Sequence, residues 1–369
     1  MVSHSLYIGL MSGTSTDGVD GVLADLSRPG HPQIRAHISL PMPESLRQEF
    51  LALNRSGPNE LTRAALAGNA LARLYAQAVH ALLERGQTRA GDVQAIGAHG
   101  QTVRHDPAAG YTLQINAPAL LVELSRIAVI ADFRTRDVAA GGQGAPLVPA
   151  FHQAVFSSYQ PRAILNLGGI ANVTVLHPGE PVRGFDTGPA NVLLDTWCQE
   201  KTRQAYDTNG QWAAGGQTHP ALLEALLRQE PWFDLPPPKS TGRDLFNRAW
   251  LERGLAPFRA ENIADRDVQA TLQSLTVHSI AQAIERHAPA TREVLVCGGG
   301  ALNLGLVHEL EQLLARPVYR TDRMGVPVQL VEALAFAWLA QAHDQAYPAG
   351  LPEVTGASHP NILGCRYPV

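Results

Sequence analysis

The residues best suited to chemistry lie in short glycine-rich segments that follow apolar runs, and the first is MSGTSTDGVD, residues 11–20. Its glycines would let the backbone approach phosphates, and successive N–H groups can form a nest for an anion. Within it, Gly13, Thr14, Ser15, Thr16, Asp17, Gly18, Val19 and Asp20 are the candidate phosphate-binding residues. A hairpin turn that uses glycine and aspartate for its dihedral angles is an equally good interpretation. It is not a Walker A motif, because no GKS or GKT follows.

Two carboxylates in this segment, Asp17 and Asp20, would repel a phosphate by themselves. Magnesium bound to a nucleotide is commonly held by one or two carboxylates, often through water. Both aspartates are therefore expected on the magnesium side of a bound nucleotide.

Two later segments repeat the pattern of an apolar run followed by glycines. NLGGIAN contributes Gly168, Gly169 and Asn172, and could hold nucleotide phosphates. GGGALN contributes Gly298, Gly299, Gly300 and Asn303 and precedes a helical run, so it could wrap an adenosine at a helix start. Neither is the GxGxxG fingerprint of a dinucleotide fold.

Asp186 lies in the segment FDTGPAN, before the helical run 192–198. A carboxylate there could be a general base, a role that typically contributes about 10²- to 10⁴-fold in rate. The other interpretation is a helix N-cap, which stabilises by about 1 kcal/mol. The local pattern alone favours the cap.

Three further polar residues are candidates for binding a substrate. His99, in HGQT, follows a predicted strand and is more plausible in a sugar-contacting loop than as a metal ligand. Arg134 ends another strand and could pair with a substrate carboxylate through its planar fork, or form a surface ion pair. Glu332 begins an apolar helix, where it could bind a sugar hydroxyl or favour the helix N-terminus.

The elements that position these residues occur twice along the chain. Apolar runs at 6–11 and 19–26 flank the first glycine segment, and runs at 163–167 and 173–176 flank the second, so we expect the two halves to share one architecture. Between them, the pattern predicts a helix at 60–85, strands at 93–98 and 127–133, and a crossover at 139–149. It also predicts helices at 269–288 and 331–342, a strand at 294–297, and a tail from 351 that packs back on the surface.

Composition limits the function classes. The 369 residues suggest two domains at about 150 residues each. A net charge of -4 gives no general attraction for nucleic acid or anionic membranes, so a small-molecule partner is favoured. The three cysteines are far apart, and no run reaches the ~18 apolar residues of a membrane span. We expect a cytoplasmic protein.

Taken together, the segments resemble the anhydro-N-acetylmuramic acid kinase family, part of the group of two-lobed kinases and ATPases that includes hexokinase, actin and Hsp70. The resemblance runs almost end to end. The segments that carry it are GLMSGTSTDGVD (9–20), GAHGQTVRH (97–105), ADFRTRDVAAGGQGAPLVPAFH (131–152), LNLGGIANVTVL (165–176), GFDTGPANVLLD (184–195), PPPKSTGRDLFN (236–247), VCGGGALN (296–303) and VEALAFAWLA (331–340).

The resemblance implies an α/β, ribonuclease-H-like fold of the actin and hexokinase kind, with two lobes, mixed sheets flanked by helices, and a central cleft. It places 1–135 with 346–369 in an N-terminal lobe on the substrate and phosphate-loop side. It places 136–345 in a C-terminal lobe on the nucleotide and catalytic-base side. It also implies a homodimer.

The activity that the resemblance implies is ATP- and Mg²⁺-dependent conversion of 1,6-anhydro-N-acetylmuramate, with water, to N-acetylmuramate 6-phosphate during recycling of the bacterial cell wall. Asp186 would match the catalytic base, residues 13–20 the ATP-binding segment, and His99, Arg134 and Glu332 the substrate site. The alternatives are a nucleotide switch of the actin or Hsp70 kind and an ordinary hexose kinase.

Two departures from these patterns matter. Ala190 stands where the family usually has a second glycine, GPGN, and it would cost about 1 kcal/mol if that position needed a positive φ. In place of the DxGxT pattern of the wider group, the chain has Met11, Ser12 and Gly13. The residues that hold magnesium therefore stay open.

Overall fold

The structure is a computed structural model that describes residues 5–13 and 16–369. Its strands are β1 (Leu6–Met11), β2 (Gly18–Asp25), β3 (Gln33–Pro41), β4 (Val93–Ala98), β5 (Gln101–Asp106), β6 (Tyr111–Ile115), β7 (Val129–Ala131), β8 (Arg162–Leu167), β9 (Ile170–Leu176), β10 (Arg183–Pro189), β11 (Glu293–Cys297), β12 (Val318–Arg320) and β13 (Cys365–Tyr367).

Its α-helices are α1 (Glu44–Leu53), α2 (Glu60–Arg85), α3 (Pro118–Ser125), α4 (Thr135–Ala139), α5 (Val148–Phe156), α6 (Asn191–Thr202), α7 (Gln211–Ala214), α8 (Pro220–Arg228), α9 (Arg248–Leu255), α10 (Asp265–His287), α11 (Leu304–Leu314), α12 (Val331–Asp344) and α13 (Pro352–Thr355). Short 3-10 turns lie at Ala90–Asp92, Thr208–Gly210, Pro231–Asp234, Ala256–Glu261, Gly299–Leu302 and Thr321–Met324.

These elements form two compact units. Unit 1 contains the described residues up to Phe156 together with Leu330–Val369, and unit 2 is Ser157–Gln329. The bounds differ from the expected 1–135 with 346–369 and 136–345. The difference arises because α12 packs on β1 and β4 and α5 packs on α12, which brings both helices into unit 1.

Each unit has a mixed sheet in which the same strand order recurs. In unit 1 the order is β13-β7-β4-β1-β2-β3, and in unit 2 it is β10-β9-β8-β11-β12. In both, three consecutive antiparallel strands are followed by a strand parallel to the first, β4 beside β1 and β11 beside β8. The expectation that the two halves share one architecture is confirmed.

Helix α12 lies unusually close to the sheet of unit 1, and two glycines make this possible. A Cβ atom at Gly9 would overlap the carbonyl oxygen of Ala333, and one at Gly97 would overlap that of Phe336. The backbones of β1 and β4 therefore meet the helix backbone with no side chain between them. This contact fixes the strand ends that carry the first glycine segment and His99.

The long helix α2 has the predicted bounds, and its buried residues line one face. Asn59 occupies its N-cap with φ 53° and makes no side-chain cap hydrogen bond, so its role there is conformational. The predicted strand at 127–133 is shorter, Val129–Ala131, and the tail adds strand β13 antiparallel to β7. Among residues 5–13 and 16–369, no helix is both long enough and apolar enough to cross a membrane.

Candidate active site

The first glycine segment connects β1 to β2, which pair antiparallel. The hairpin interpretation is therefore confirmed, and the connecting residues narrow to 12–17 because Gly18, Val19 and Asp20 already belong to β2. The side chain of Val19 is wholly buried in the core of unit 1, so only its backbone could meet a ligand. Thr14 and Ser15 lie outside the described residues.

Among the described residues of this turn, Thr16 has a strained backbone conformation. Thr16 has φ 53°, and its N–H donates to the carbonyl of Gly13 at 3.1 Å. A β-branched residue in the left-handed region is a genuine outlier that costs on the order of 1–3 kcal/mol. Such strain persists only where surrounding contacts impose it, and it clusters at functional sites.

Gln101 holds the start of this turn. Its Oε1 accepts a hydrogen bond from the Ser12 hydroxyl at 2.5 Å, and its Nε2 donates to the Gly13 carbonyl at 3.0 Å. Both Ser12 and Gln101 are buried. The structure thus brings two predicted segments together in unit 1, since Gln101 belongs to HGQT and Gly13 to the glycine segment.

Asp20 lies in β2 between Met11 of β1 and Ser39 of β3. Its Oδ1 accepts from the Ser39 hydroxyl at 2.5 Å. Burial raises the pKa of Asp20, and the neighbouring negative charge of Asp17 raises it further. The two predicted magnesium-side carboxylates are thus close enough to repel each other.

His99, which is buried, and Arg134, which is half-buried, form a hydrogen-bonded pair in unit 1. The Nδ1–H of His99 donates to the carbonyl of Gly100 at 2.9 Å, and its Nε2 accepts from Arg134 Nε at 3.0 Å. The Gly100 carbonyl can only accept and the guanidinium can only donate, which assigns His99 as neutral with its proton on Nδ1. Burial lowers its pKa to about 3, and the charge of Arg134 lowers it further.

Arg134 also donates from Nη1 to the carbonyl of Gly144 at 2.7 Å. Burial lowers its pKa to about 10, against the opposing influence of Glu332 and Asp137. At neutral pH the guanidinium keeps its charge. Glu332 lies in the first turn of α12, so the structure places the three predicted substrate-binding residues in one electrostatically coupled group.

Asp137 is a site residue that the sequence patterns did not single out. It is wholly buried, and its Oδ2 accepts from the Gly144 N–H at 2.7 Å while its Oδ1 accepts from the Thr355 hydroxyl at 2.7 Å. Gly144, with φ 65°, is thereby held so that its carbonyl faces Arg134. The glycines at 141–144 were the available sequence signal for this part of the site, but they did not indicate that Asp137 contacts Gly144.

In unit 2, four polar or sulfur-bearing residues lie directly opposite one another across the sheet. Asp186 of β10 pairs with Asn172 of β9, Asn172 with Asn166 of β8, and Asn166 with Cys297 of β11. Residues directly opposite on neighbouring strands project to the same face, with Cβ atoms about 4.5–5.5 Å apart. Two of the predicted residues, Asp186 and Asn172, are therefore adjacent.

Asp186 does not cap a helix. It lies inside β10, and the N-cap of α6 is Ala190, so the cap interpretation is wrong. Its N–H donates to the carbonyl of Lys239 at 3.1 Å, and its Oδ2 accepts from the N–H of Thr241 at 2.8 Å.

The environment of Asp186 favours the neutral acid. Burial raises its pKa to about 7, against the lowering influence of the Thr241 N–H and the Lys239 charge. A carboxylate with a pKa near neutrality can accept a proton and release it again under ordinary conditions.

Gly168 and Gly169 form the turn between β8 and β9 and contact the start of α6. The carbonyl of Gly168 accepts from the N–H of Asn191 at 3.0 Å, and that of Gly169 accepts from the N–H groups of Ala190 and Val192, both at 3.0 Å. Ala190 has φ -110°, so the position does not require a positive φ.

The third glycine segment packs against the second. Gly298, with φ 81°, lies so close to Asn166 that a Cβ there would overlap its Oδ1. A Cβ at Gly300 would lie 2.7 Å from the Cβ of Leu167. Gly299 has more room, with Asn191 Nδ2 at 3.9 Å from such an atom. The glycines therefore allow the two turns to touch.

Asn303 has a structural task in unit 2. Its Oδ1 accepts from the N–H of Leu306 at 3.0 Å, which caps α11, and its Nδ2 donates to Gln273 Oε1 at 3.1 Å. Any contact with a nucleotide would thus come chiefly from its backbone.

Comparison with known proteins identifies the family. The family model described as anhydro-N-acetylmuramic acid kinase matches residues 5–369. The chain is 64% identical over 363 residues to the anhydro-N-acetylmuramic acid kinase of Bordetella petrii, covering 98% of this chain and 96% of the relative. It is 51% identical over 365 residues to that of Chromobacterium violaceum, covering 98% and 99%.

Among solved structures, the activator of the 2-hydroxyisocaproyl-CoA dehydratase from Clostridium difficile, with bound ADPNP, matches with a TM-score of 0.50 at 14% identity, over 92% of this chain and 96% of that one. This likeness concerns the fold, which is the α/β ribonuclease-H-like fold of the actin and hexokinase group, as expected. On its sequence, over nearly its whole length, the chain belongs to the anhydro-N-acetylmuramic acid kinase family.

Proposed function

We propose that this protein is an ATP-dependent kinase that converts 1,6-anhydro-N-acetylmuramate, with water, to N-acetylmuramate 6-phosphate. The observation that carries the proposal is Asp186, a partly buried carboxylate with a pKa of about 7 in a row of polar residues. Its kinase relatives support the reaction class. We place the reaction in the cytoplasm, where ATP is the phosphoryl donor.

Asp186 acts as the general base. It takes a proton from a water molecule whose oxygen attacks the anomeric carbon, and the bond from that carbon to O6 breaks with its electron pair on O6. O6 then attacks the γ-phosphorus of ATP, the bond to the β–γ bridging oxygen breaks, and ADP leaves. The N–H of Thr241 on Oδ2 orients the carboxylate so that the other oxygen serves as the proton acceptor.

Arg134 binds the lactyl carboxylate of the sugar. Its guanidinium stays charged, and its donors to His99 Nε2 and the Gly144 carbonyl fix its plane. A fixed fork suits a carboxylate because two parallel N–H bonds can form. Glu332, coupled to the same guanidinium, accepts from a sugar hydroxyl, and His99 orients Arg134.

In each unit, taken by itself, the glycine turns offer backbone N–H groups to a phosphate. In unit 1 these belong to residues 13–20, whose start is fixed by Gln101. In unit 2 they belong to Gly168, Gly169 and 298–300, with Asn172 alongside and Asn303 through its backbone. Such contacts stabilise phosphate charge by position rather than by covalent chemistry.

Asp17 and Asp20 fit a role in holding the Mg²⁺ that accompanies ATP. The negative charge of Asp17 adds to the raised pKa of Asp20, and a divalent cation relieves the repulsion between neighbouring carboxylates. The ion would neutralise phosphate charge. Two carboxylates suffice because Mg²⁺ keeps several of its waters.

A coupled ADP-release assay against a panel of amino sugars, with and without the 1,6-anhydro bridge, tests the proposal. We expect release only with the anhydro sugar that carries a lactyl carboxylate, and incorporation of ¹⁸O from labelled water at the anomeric carbon. Label-free product would favour an ordinary hexose kinase. ADP release that ignores every sugar would favour a nucleotide switch and would overturn the proposal.

A further inference from the structure

Residues 232–241, WFDLPPPKST, contact Asp186 twice through backbone atoms. The carbonyl of Lys239 accepts from the Asp186 N–H at 3.1 Å, and the N–H of Thr241 donates to Asp186 Oδ2 at 2.8 Å. One contact fixes the main chain of Asp186 and the other fixes its carboxylate. We call residues 232–241 the base clamp.

Side chains within the base clamp contact other residues of the same segment. The indole N–H of Trp232 donates to the carbonyl of Ser240 at 3.1 Å, next to Thr241. The ammonium of Lys239 donates to the carbonyl of Phe233 at 2.9 Å and lies 4.4 Å from the centre of the Trp232 ring. A buried lysine held between a carbonyl and an indole face has a defined position.

The base clamp also rests on β10, the strand that carries Asp186. A Cβ at Gly188 would lie 2.8 Å from the Phe233 ring and 2.9 Å from the Ser279 hydroxyl of α10. The absence of a side chain at Gly188 thus allows Phe233 to lie directly on the strand, two residues from the base. The glycine of DTG therefore has a packing reason beside its φ of 145°.

The charged groups around the base clamp determine whether the net charge near Asp186 is positive or negative. Lys239 interacts with Asp186, Asp234 and Arg286, and the last two form an ion pair at 2.8 Å. His287, at the end of α10, favours its neutral form because burial, then Lys239, Arg286 and Arg183, lower its pKa. Since Asp234 and Arg286 offset each other, Lys239 is the cation that acts on Asp186.

We propose that the base clamp positions the Asp186 carboxylate, and that Lys239 is a positioning residue which stabilises its charged, proton-accepting form. The proposal rests on the role of Asp186 as the base. Lys239 acts through Asp186 rather than on the sugar, and Trp232 holds Lys239 and Ser240 in place. The Thr241 N–H and then the Lys239 charge oppose the effect of burial on the Asp186 pKa, so the base keeps an ionised fraction at neutral pH.

Lys239→Met and Trp232→Phe test the proposal, with Trp197→Phe as the matched control. Trp197 also lies in unit 2 and donates its indole N–H to a backbone carbonyl, that of Asp265 at 2.8 Å, but outside the base clamp. For Lys239→Met we expect the acidic limb of the kcat/KM profile to move up by about one pH unit, because an opposite charge nearby is removed. At pH 7 this is about a fivefold loss, recovered above pH 8.5.

Trp232→Phe keeps a ring under Lys239 but removes the N–H to Ser240, so we expect kcat to fall with little change in KM. Trp197→Phe should leave the profile in place. An unshifted acidic limb in a folded Lys239→Met protein would overturn the proposal while the wild-type activity stands.

If the wild type turns over no anhydro sugar, the proposed function fails separately. The role of Lys239 is then decided by the pH dependence of unfolding, compared between proteins that keep Asp186 and proteins that carry Asp186→Asn, each with Lys239 present or replaced by Met. The stability difference between proteins with Asp186 and those with Asp186→Asn changes with pH, and the pH at the midpoint of that change must be higher in proteins that lack Lys239. An equal midpoint with and without Lys239 refutes its influence on Asp186.

Discussion

Replacing Asp186 with asparagine should abolish turnover and, at the same time, stabilise the fold. Asparagine keeps an acceptor for the Thr241 N–H, which is 2.8 Å from Oδ2, but it cannot take a proton from water. Loss of a general base typically costs about 10²- to 10⁴-fold in rate, or about 3–5 kcal/mol of activation free energy. We expect ATP binding to persist, since we propose that backbone N–H groups elsewhere bind ATP.

The stability gain follows from the raised pKa of Asp186, about 7 against an ordinary 3.8. The folded state holds its proton more tightly than the unfolded state, so the stabilising contribution is full below pH 3.8 and is lost as pH rises through about 7. At about 1.36 kcal/mol per pKa unit, wild type loses roughly 2.5 kcal/mol between pH 5 and pH 8 through this group. The Asn variant has no such term.

Urea unfolding of both proteins at several pH values measures this difference. The free energy of unfolding of Asp186→Asn minus that of the wild type should rise between pH 5 and pH 8 and then become flat. Steady-state turnover of the same preparations gives the kinetic half of the prediction. A pH-independent difference would refute the raised pKa, and near-normal turnover would refute the base.

Three further variants test other parts of the structure. Arg134→Ala should raise KM about 10- to 100-fold for the carboxylate-bearing sugar, from the loss of a charged hydrogen bond, and much less for an analogue without the lactyl group; equal effects on both sugars would contradict the pairing. Gly97→Ala should destabilise by more than about 1–3 kcal/mol in urea unfolding, because its Cβ would overlap the Phe336 carbonyl, whereas Gly91→Ala, with open space around it, should be neutral. Ala190→Gly should lower stability by about 1.5 kcal/mol without changing kcat, since the wild-type φ is -110° and the methyl is buried; a gain in stability or rate would show that the family's glycine is required there.

Local patterns predicted the fold well where the signal is local. The strand, glycine turn and strand of each half, and helix α2, follow from apolar spacing and turn residues alone. The pairing of β13 with β7 could not be predicted, because its partner lies more than two hundred residues earlier and no spacing rule reports such a distance. The membership of α12 in unit 1 was missed for the same reason.

The sequence predicted which residue types form the site, but not their protonation states or their hydrogen-bond partners. A carboxylate before a helical run suggests an N-cap, and only the course of β10 shows that Asp186 ends up in a sheet with Lys239 and Thr241 against it. Likewise the sequence shows a histidine and an arginine 35 positions apart, and the hydrogen bond between them is what fixes His99 as neutral. Protonation states depend on burial and partners, which short-range patterns do not contain.

Within the repeated architecture, the residue beside the first turn is a glutamine in unit 1 and a glycine in unit 2. In each unit the chain leaving the strand parallel to the first strand lies beside the end of the first strand, and that parallel strand is β4 in unit 1 and β11 in unit 2. After β4 the fixing group is the amide of Gln101, which reaches Ser12 and Gly13. After β11 the residue is Gly298, whose lack of a side chain leaves room for Asn166, because a Cβ there would overlap Asn166 Oδ1. The two units thus place different chemistry beside their first turns, so an internal repeat locates the turns but cannot name the residues that contact them.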